Sequence, residues 1–185
     1  MDVVRDALDS VPRQDFLLRG DRRRAGNDGP IQIGHGQTNS QPRTVEAMLR
    51  LLEVQPGMHV LDVGAGSGWT TALLAHLTGP SGSVVGVELV PELAEWGGAN
   101  LAGTSYDWAS IRTATPDVLG VPESAPYDRI LVSAEAASMP QPLVDQLGDE
   151  GRMVLPVRGT MLLVVRRDGE PEVTQHGAYR FVPLR

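Results

Sequence analysis

Apolar and polar positions along the chain predict strands and helices that follow one another in turn. Short apolar, β-branched runs predict strands near residues 58–63, 83–88, 110–114, 128–134, 151–157, 160–166 and 172–182. Segments with apolar residues on one face predict helices near residues 2–10, 42–53, 69–78, 91–102 and 141–148. Because the two kinds of element alternate through the middle of the chain, the pattern favours a parallel sheet with crossover helices.

The last two predicted strands, 160–166 and 172–182, depart from this alternation. Only a few charged and turn-forming residues separate them. A connection this short has no room for a crossover, so we expect the two strands to form an antiparallel hairpin at one edge of the sheet.

The N-terminal part of the chain contains a long segment without a clear period. Residues 19–37 are rich in glycine and charge and are predicted to be a loop, long enough to be a binding segment. The helix near 42–53 begins at Pro42, which suits a first helical turn because proline lacks the amide donor. Ser40 or Gln41 then lies at the start of that helix.

Composition places the chain among globular proteins with one domain. Residues 1–185 are interpreted as a single domain, with residues 1–54 as its N-terminal helical and loop segment. Hydrophobic residues make up 41% of the chain, and the net charge of −7 argues against a general binder of nucleic-acid phosphates. The basic run at residues 22–24 is interpreted as a solvated loop. Since there is no cysteine, a disulfide framework, a thiolate nucleophile and a cysteine-ligated metal are excluded.

The beginning of the chain is charged and lacks the apolar core of a signal peptide. No apolar run approaches the length that spans a bilayer. We therefore expect a cytoplasmic protein without a membrane partner.

A glycine-rich turn follows the first strand of the alternating part. The apolar run of residues 60–63 leads into Gly64, Gly66 and Gly68, and the helix near 69–78 comes next. The unpaired N–H groups of such a helix start suit a nucleoside ligand. Glycines at this spacing are not specific, since dinucleotide-binding enzymes carry a related loop.

Two carboxylates near this turn indicate which nucleoside it binds. Asp62, just before the turn, would repel a pyrophosphate but suits an ammonium or sulfonium group. Glu88 ends the next strand, 24 residues after Gly64, where its two oxygens can accept both hydroxyls of a ribose. The arrangement resembles the cofactor site of class I S-adenosylmethionine methyltransferases. The alternative is that Asp62 is a capping residue and Glu88 a solvated loop charge.

Candidate catalytic side chains are few. The histidines, which are His35, His59, His76 and His176, have no metal-ligand spacing, so no metal site is predicted. His35 lies within the long loop and is the histidine we would test. Ser40 is the sharper candidate, although without a hydrolase elbow around it the residue can equally be a helix-capping serine.

Five blocks in order along the chain resemble protein-L-isoaspartate O-methyltransferases. They are Val-Pro-Arg-Gln-Asp-Phe (11–16), Ile-Gly-His-Gly-Gln-Thr-Asn-Ser (33–40), Pro-Gly-Met (56–58), Ala-Pro-Tyr-Asp-Arg-Ile (125–130) and Arg-Phe-Val-Pro-Leu (180–184). The resemblance implies a Rossmann-like α/β methyltransferase fold. In this fold a seven-stranded, mostly parallel sheet carries an antiparallel edge hairpin and helices on both faces.

The same resemblance implies the roles of individual residues. Ser40 matches the family's active-site serine, and Thr38 of the Thr-x-Ser motif is assigned to catalysis with it. Residues assigned to the cofactor S-adenosyl-L-methionine are Gln37, Asn39, Asp62, Gly64, Ala65, Gly66, Ser67, Gly68, Glu88, Leu89 and Asp117. The implied substrate is a protein or peptide that contains isoaspartate. We expect the enzyme to act as a monomer, without nucleic acid.

Three positions depart from the family pattern. Residues 41–43 read Gln-Pro-Arg where the family has Ala-Pro-His, and residues 115–117 read Thr-Pro-Asp in place of Gly-Asp-Gly. Asp117 can supply the adenine-side carboxylate of the latter motif only if the loop runs differently around Pro116. Glu135 falls in a run of small residues and is expected to bring negative charge near the substrate, unless Arg43 or another cation offsets it.

These observations support a carboxyl methyltransferase that repairs isoaspartyl damage. A carboxylate with a reference pKa of about 4 is ionised at neutral pH, so its methylation needs no general base. Arg43 and Glu135 keep open an alternative, in which the enzyme modifies an aspartate of one dedicated partner or precursor peptide. A non-catalytic nucleoside-binding module is the third hypothesis. A dehydrogenase is disfavoured by the lack of a substrate domain and by the glycine spacing.

Overall fold

The computed structural model describes residues 2–185. Its main sheet has seven strands in the order β5-β4-β3-β6-β7-β8-β9. The strands are β3 (His59–Val63), β4 (Ser83–Glu88), β5 (Ala109–Thr113), β6 (Tyr127–Val132), β7 (Leu147–Val157), β8 (Thr160–Arg167) and β9 (Glu170–Ala178). Strands β3 to β7 pair in parallel, and β8 and β9 are antiparallel. The predicted seven-stranded sheet with an antiparallel edge hairpin is confirmed.

Five α-helices accompany the sheet in residues 2–185. They are α1 (Val3–Ser10), α2 (Pro42–Leu52), α3 (Trp69–Thr78), α4 (Pro91–Ala102) and α5 (Gln141–Val144). Side chains of α1, α2 and α3 form one buried cluster against one face of the sheet. The short α5 contributes Leu143 and Val144 to a second cluster on the other face. Neighbouring residues of one strand divide between the clusters, as Val60 and Leu61 do, because strand side chains alternate.

The strand order places a crevice at one end of the sheet. After β3 the chain moves to β4 and β5 on one side and then returns to β6 on the other side. In an open parallel sheet, the carboxyl ends of the strands diverge at such a reversal and leave room for a ligand. The end of β3 at Val63 and the end of β6 at Val132 therefore border the expected binding crevice.

Part of the segment predicted as a loop at 19–37 is instead a β-hairpin. Strands β1 (Ile31–Gly34) and β2 (Gln37–Asn39) pair in antiparallel fashion, apart from the main sheet. The alternation of buried Ile31 and Ile33 with exposed neighbours is a strand signal, but it is too short to stand out in the sequence. Residues 22–24 form an exposed turn of 3₁₀ helix, where Arg24 pairs with Asp21.

Other boundaries differ because tertiary pairing overrides local pattern. The helix predicted at 141–148 ends at Val144, since Leu147 joins β7 and pairs with Tyr127 of β6. The last strand ends at Ala178 rather than near residue 182, and the chain after it turns toward β6. The N-cap of α2 is Gln41, whose side chain makes no capping hydrogen bond, while the N–H of Arg43 in the first turn donates to Asp28 Oδ1 at 3.3 Å. The interpretation of Ser40 as a helix cap is therefore wrong.

No helix in the described part of the chain, residues 2–185, has the length and apolar character needed to cross a membrane.

Candidate active site

A cavity of about 640 Å³ lies at the carboxyl ends of β3, β4 and β6. Its walls come from residues within 33–40, 63–70, 87–90, 114–120, 133–140 and 182–185. Loops that are far apart in the sequence thus meet at the crevice that the strand order creates. Among its lining residues, the side chains that can carry charge are His35, Glu88, Asp117 and Arg185.

The glycine turn after β3 forms the floor of the cavity. The N–H groups of Gly64 and Ala65 donate to Val87 O at 2.9 and 3.0 Å, which ties the turn to the end of β4. Gly64 and Gly66 have φ values of 83° and 52°, in the left-handed region that favours glycine. A Cβ atom at Gly66 would also lie 3.2 Å from Ile33 of the β1–β2 hairpin. Glycine is therefore needed in this turn, because a side chain would be strained by the backbone conformation and, at Gly66, would crowd Ile33.

Gly68 follows the lining residues of the glycine turn and packs against α4. It starts α3 and does not line the cavity. With φ of 89°, a Cβ atom there would lie 2.7 Å from the carbonyl oxygen of Gly97 in α4. The structure thus assigns Gly68 to the packing of α4 against the turn.

Glu88 is buried at the end of β4, with 7% of its surface exposed, and it lines the cavity. One carboxylate oxygen accepts the N–H of Gly66 at 2.8 Å and the other accepts the N–H of Val90 at 3.0 Å. Each oxygen keeps a further lone pair for a ligand. The side chain is held in place, so the alternative of a solvated loop charge is wrong.

Asp62 is fully buried behind the cavity wall and is not a lining residue. Its Oδ2 accepts the hydroxyl groups of Thr70 and Thr71, both at 2.7 Å. Its Oδ1 has no hydrogen-bond partner among residues 2–185. Burial raises the pKa of Asp62 to about 6, against the two threonine hydrogen bonds, and the charge of Glu88 adds to the rise.

The Asp62 oxygen without a hydrogen-bond partner among residues 2–185 bears on whether the site fits a cationic nucleoside. A buried acceptor without a donor is costly, and a positive group in the adjacent cavity would lower that cost. Together with Glu88 at the strand end and the glycine turn, this donor and acceptor set fits the amino, sulfonium and ribose groups of S-adenosylmethionine.

Apolar and acidic side chains flank Glu88 on the side toward β5. Leu89 and Val118 line the cavity and expose 46% and 39% of their surfaces, which is unusual for large apolar residues without a partner. Residues 115–117 also line it, and Asp117 adopts a positive φ of 60°. The departure at Thr115-Pro116-Asp117 therefore still delivers a carboxylate to the cavity.

The second strand of the hairpin and the residue after it form another part of the cavity wall, here called the hairpin wall. Gln37, Thr38, Asn39 and Ser40 all line the cavity. Asn39 is buried and donates through Nδ2 to Ser67 Oγ at 3.0 Å, so the hairpin is bound to the glycine turn. The half-buried hydroxyl groups of Thr38 and Ser40 make no side-chain hydrogen bond within residues 2–185. These two hydroxyl groups therefore have hydrogen-bonding capacity left for a ligand in the cavity.

Arg43 and Glu135, two charged residues that depart from the family pattern, do not line the cavity. Arg43 forms an ion pair with Asp28. Glu135 is half-buried and is not among the lining residues, although Ala134 and Ala136 on either side of it are. Its backbone instead fixes the end of the chain, since its N–H donates to Val182 O at 2.7 Å and its carbonyl accepts from Leu184 N at 2.8 Å.

Some lining residues were not assigned to the site from the sequence. The C-terminal segment 182–185 lines the cavity because it pairs with Glu135, a long-range contact without a local signal. His35, singled out in the sequence as worth testing, lies at the exposed tip of the hairpin and also lines the cavity. Within residues 2–185, no three histidine, aspartate or glutamate side chains come together as a metal-binding group.

The sheet order, the glycine turn and the acidic residue ending β4 define a class I methyltransferase that uses S-adenosylmethionine. Residues 1–185 match the family model of protein-L-isoaspartate(D-aspartate) O-methyltransferase. The chain therefore belongs to this family, whose members are carboxyl methyltransferases.

Individual relatives agree with this assignment along the whole chain. The chain is 43% identical to the protein-L-isoaspartate O-methyltransferase of Methanopyrus kandleri over 186 residues, covering 98% of this chain and 82% of that protein. It is 42% identical to the enzyme of the same name from Methanocella arvoryzae, covering 96% of this chain and 95% of that protein.

A solved structure from Plasmodium falciparum extends the comparison to three dimensions. It is described as a protein-L-isoaspartate O-methyltransferase in complex with S-adenosyl-L-homocysteine. It superimposes with a TM-score of 0.89 and 25% sequence identity, covering 100% of this chain and 91% of that chain.

Proposed function

We propose that this protein transfers a methyl group from S-adenosylmethionine to the free carboxylate of isoaspartyl residues in damaged proteins. The observation that carries the proposal is that Ser40 and Glu88 line one cavity, with the Ser40 carbonyl bound by Arg13 and the Glu88 carboxylate bound by Gly66. When bound, S-adenosylmethionine would supply an electrophilic methyl group on a sulfonium centre.

The acidic wall of the cavity would hold the cofactor. Glu88 is fixed by Gly66 and Val90, so its free lone pairs are oriented before a ribose arrives. Asp62 places negative charge behind the wall, where it favours a cationic ligand over a neutral one. Leu89 and Val118 offer apolar surfaces that a flat base would cover.

The hairpin wall would bind and orient the substrate. The free hydroxyl of Ser40 can donate to a carboxylate oxygen and fix the direction of attack, and Thr38 can support it. No residue has to remove a proton, because the carboxylate is already ionised at neutral pH. The hairpin and the C-terminal segment enclose the cavity, and exclusion of water favours a reaction that neutralises charge.

The substrate is tested with a pair of peptides that differ only in the linkage of one residue. We expect labelled methyl from S-adenosylmethionine to appear in the isoaspartyl peptide, and at least about 100-fold less in its aspartyl twin, which lacks the correctly placed carboxylate. The measurement is the initial rate of base-labile label at equal peptide concentrations.

Equal labelling of both peptides would reject the repair specificity while leaving carboxyl methylation in place. Labelling of neither peptide, with cofactor binding retained in calorimetry, would reject both.

The ribose-binding role of Glu88 is tested by Glu88→Gln. We expect the Kd for S-adenosylhomocysteine to rise about tenfold or more, because the amide loses one acceptor and turns an N–H group toward Gly66 or Val90. Calorimetry measures the change. Glu92→Gln, at an exposed position of α4, is the matched control and should keep the original Kd. An unaltered Kd in the Glu88 variant would contradict the assignment.

We also propose that the enzyme is a cytoplasmic monomer that does not act on nucleic acid. The acidic balance, with a net charge of −7, supports the last point. Light scattering during gel filtration tests the oligomeric state, and a mass twice that of the chain would contradict it.

A further inference from the structure

Arg13 is a buried cation in the N-terminal segment, with 5% of its surface exposed. Its Nε donates to Asn39 Oδ1 at 2.7 Å. Its two terminal nitrogens lie within hydrogen-bond distance of five backbone carbonyl oxygens, with one Nη2 N–H shared between two of them; they belong to Ala25, Asn27, Gly29, Asn39 and Ser40. Within residues 2–185, no carboxylate forms an ion pair with it. Burial lowers the pKa of Arg13 to about 10, with the charge of Arg24 adding to the effect and that of Asp28 opposing it.

The carbonyl groups that bind Arg13 lie on both sides of the β1–β2 hairpin. Ala25, Asn27 and Gly29 precede β1, whereas Asn39 and Ser40 are at the end of β2 and just after it. One rigid guanidinium therefore joins the two ends of the hairpin. A lysine ammonium has three donors on one atom and cannot span both sides in this way.

A second set of contacts relates Arg13 to the glycine turn. Asn39 uses both ends of its amide, since Oδ1 accepts from Arg13 and Nδ2 donates to Ser67 Oγ. The guanidinium also lies 5.6 Å from the ring of Trp69, the first residue of α3. The Trp69 Nε1 donates to Val11 O at 3.0 Å, two residues before Arg13. Arg13 is thus in contact with the hairpin and with α3, the helix that follows the glycine turn.

We propose that Arg13 is a positioning residue for methyl transfer, which sets the Ser40 backbone relative to the glycine turn. This inference rests on the proposed function, since it assumes that Ser40 orients the substrate carboxylate. The Ser40 hydroxyl has no hydrogen-bond partner among residues 2–185, so its position follows from the backbone that Arg13 Nη2 holds at 2.9 Å. Misplacement of a reacting group by about 1 Å lowers the rate substantially.

The test is a double-mutant cycle with Arg13→Lys and Ser40→Ala, measured as kcat with an isoaspartyl peptide. We expect Arg13→Lys to lower kcat about tenfold in the original enzyme but less than about twofold in the Ser40→Ala background. The Kd for S-adenosylhomocysteine should stay within about threefold, because the lining residues around Glu88, which would hold the cofactor, are unchanged. Equal factors in both backgrounds, or a rise in Kd as large as the fall in kcat, would overturn the proposal.

Arg129→Lys is the matched control. Arg129 is also buried and donates to backbone carbonyl groups, those of Glu53 and Asp128, but it lies toward the amino end of β6, away from the cavity. A merely structural role of buried arginines predicts the same kcat loss in both lysine variants. The proposal predicts loss of stability in both and loss of kcat in Arg13→Lys alone.

If Arg13→Lys does not fold, as judged by its thermal melting, Asn39→Ala replaces it in the cycle. This variant removes the bridge to Ser67 and keeps the buried cation. It is expected to show the same dependence on Ser40, and additive effects would overturn the proposal. If Ser40→Ala alone has no effect on kcat, the proposed role of Ser40 fails, whereas additive losses on top of a true Ser40 effect refute only the Arg13 inference.

Discussion

Ser40→Ala is expected to lower kcat about 100-fold, while the Kd for S-adenosylhomocysteine stays within about threefold. The hydroxyl lines the cavity and makes no side-chain hydrogen bond within residues 2–185, so its loss does not leave a protein group unpaired. What is lost is one hydrogen bond to a charged substrate oxygen, in a site where small misalignment is costly. Steady-state methylation of an isoaspartyl peptide and calorimetry of cofactor binding give the two quantities.

The control for this variant is Ser105→Ala, which removes an exposed hydroxyl outside the cavity lining. It should leave both kcat and Kd as they were. A Ser40→Ala enzyme with an unchanged rate would remove Ser40 from the mechanism. A loss of cofactor binding in parallel with the rate would mean that the hairpin wall holds the cofactor rather than the substrate.

The parts of the site that could be predicted from the sequence depend on local pattern. The apolar strand at residues 59–63, the glycines after it and Glu88 at the end of the next strand follow one another within about 30 residues, a strand–turn–helix–strand unit with a known register. Parallel pairing of β3 and β4 places Val63 beside Val87, so Glu88, the next residue of β4, lies beside the glycine turn. These elements can be predicted from their own residues because each buries apolar side chains at a regular spacing.

The parts that could not be predicted depend on long-range polar contacts. Strand β2 contains Gln37, Thr38 and Asn39, of which only Thr38 favours a strand, and it pairs with β1 while Asn39 is bound to Arg13 and Ser67. The C-terminal segment reaches the cavity by pairing with Glu135, more than 40 residues away in sequence. Such contacts stabilise polar segments in conformations that their own propensity does not favour.

The environment of Asp62 could be predicted from the sequence only in part. Its place before the turn suggests affinity for a cation, and the structure keeps it close to the cavity. It also shows what the sequence does not reveal, namely that Thr70 and Thr71 occupy one oxygen and that the other is buried without a partner. The charge is therefore retained at a cost in stability, which a pH-dependent experiment can measure.

Asp62→Asn is expected to change stability in a pH-dependent way. The folded-state pKa of about 6 exceeds the ordinary 3.8, so between these values the native state binds more protons than the unfolded state. The unfolding free energy of the original protein therefore falls as pH rises through this window, by roughly 3 kcal/mol in all at 1.36 kcal/mol per pKa unit. Asparagine does not ionise and escapes this loss.

Relative to the original protein, the Asp62→Asn variant should thus gain about 2 kcal/mol between pH 4.5 and pH 7.5, whatever constant cost its amide adds at both values. Urea unfolding at the two pH values measures this difference. Asp107→Asn, which alters an exposed carboxylate, should give no such change. Equal stability differences at both pH values would show that Asp62 carries no penalty for its charge in the folded protein.

The same variant should bind the cofactor less well, because the negative charge behind the wall is what favours a cationic ligand. We expect the Kd for S-adenosylmethionine to rise about tenfold at pH 7.5, and the original enzyme to release a proton on binding near pH 6, since a cation beside Asp62 lowers the pKa of that carboxyl. Calorimetry in two buffers of different ionisation enthalpy detects the proton. If the variant gains stability at neutral pH and keeps its affinity, the buried carboxylate serves neither folding nor the cofactor, and the assignment of Asp62 to the site fails.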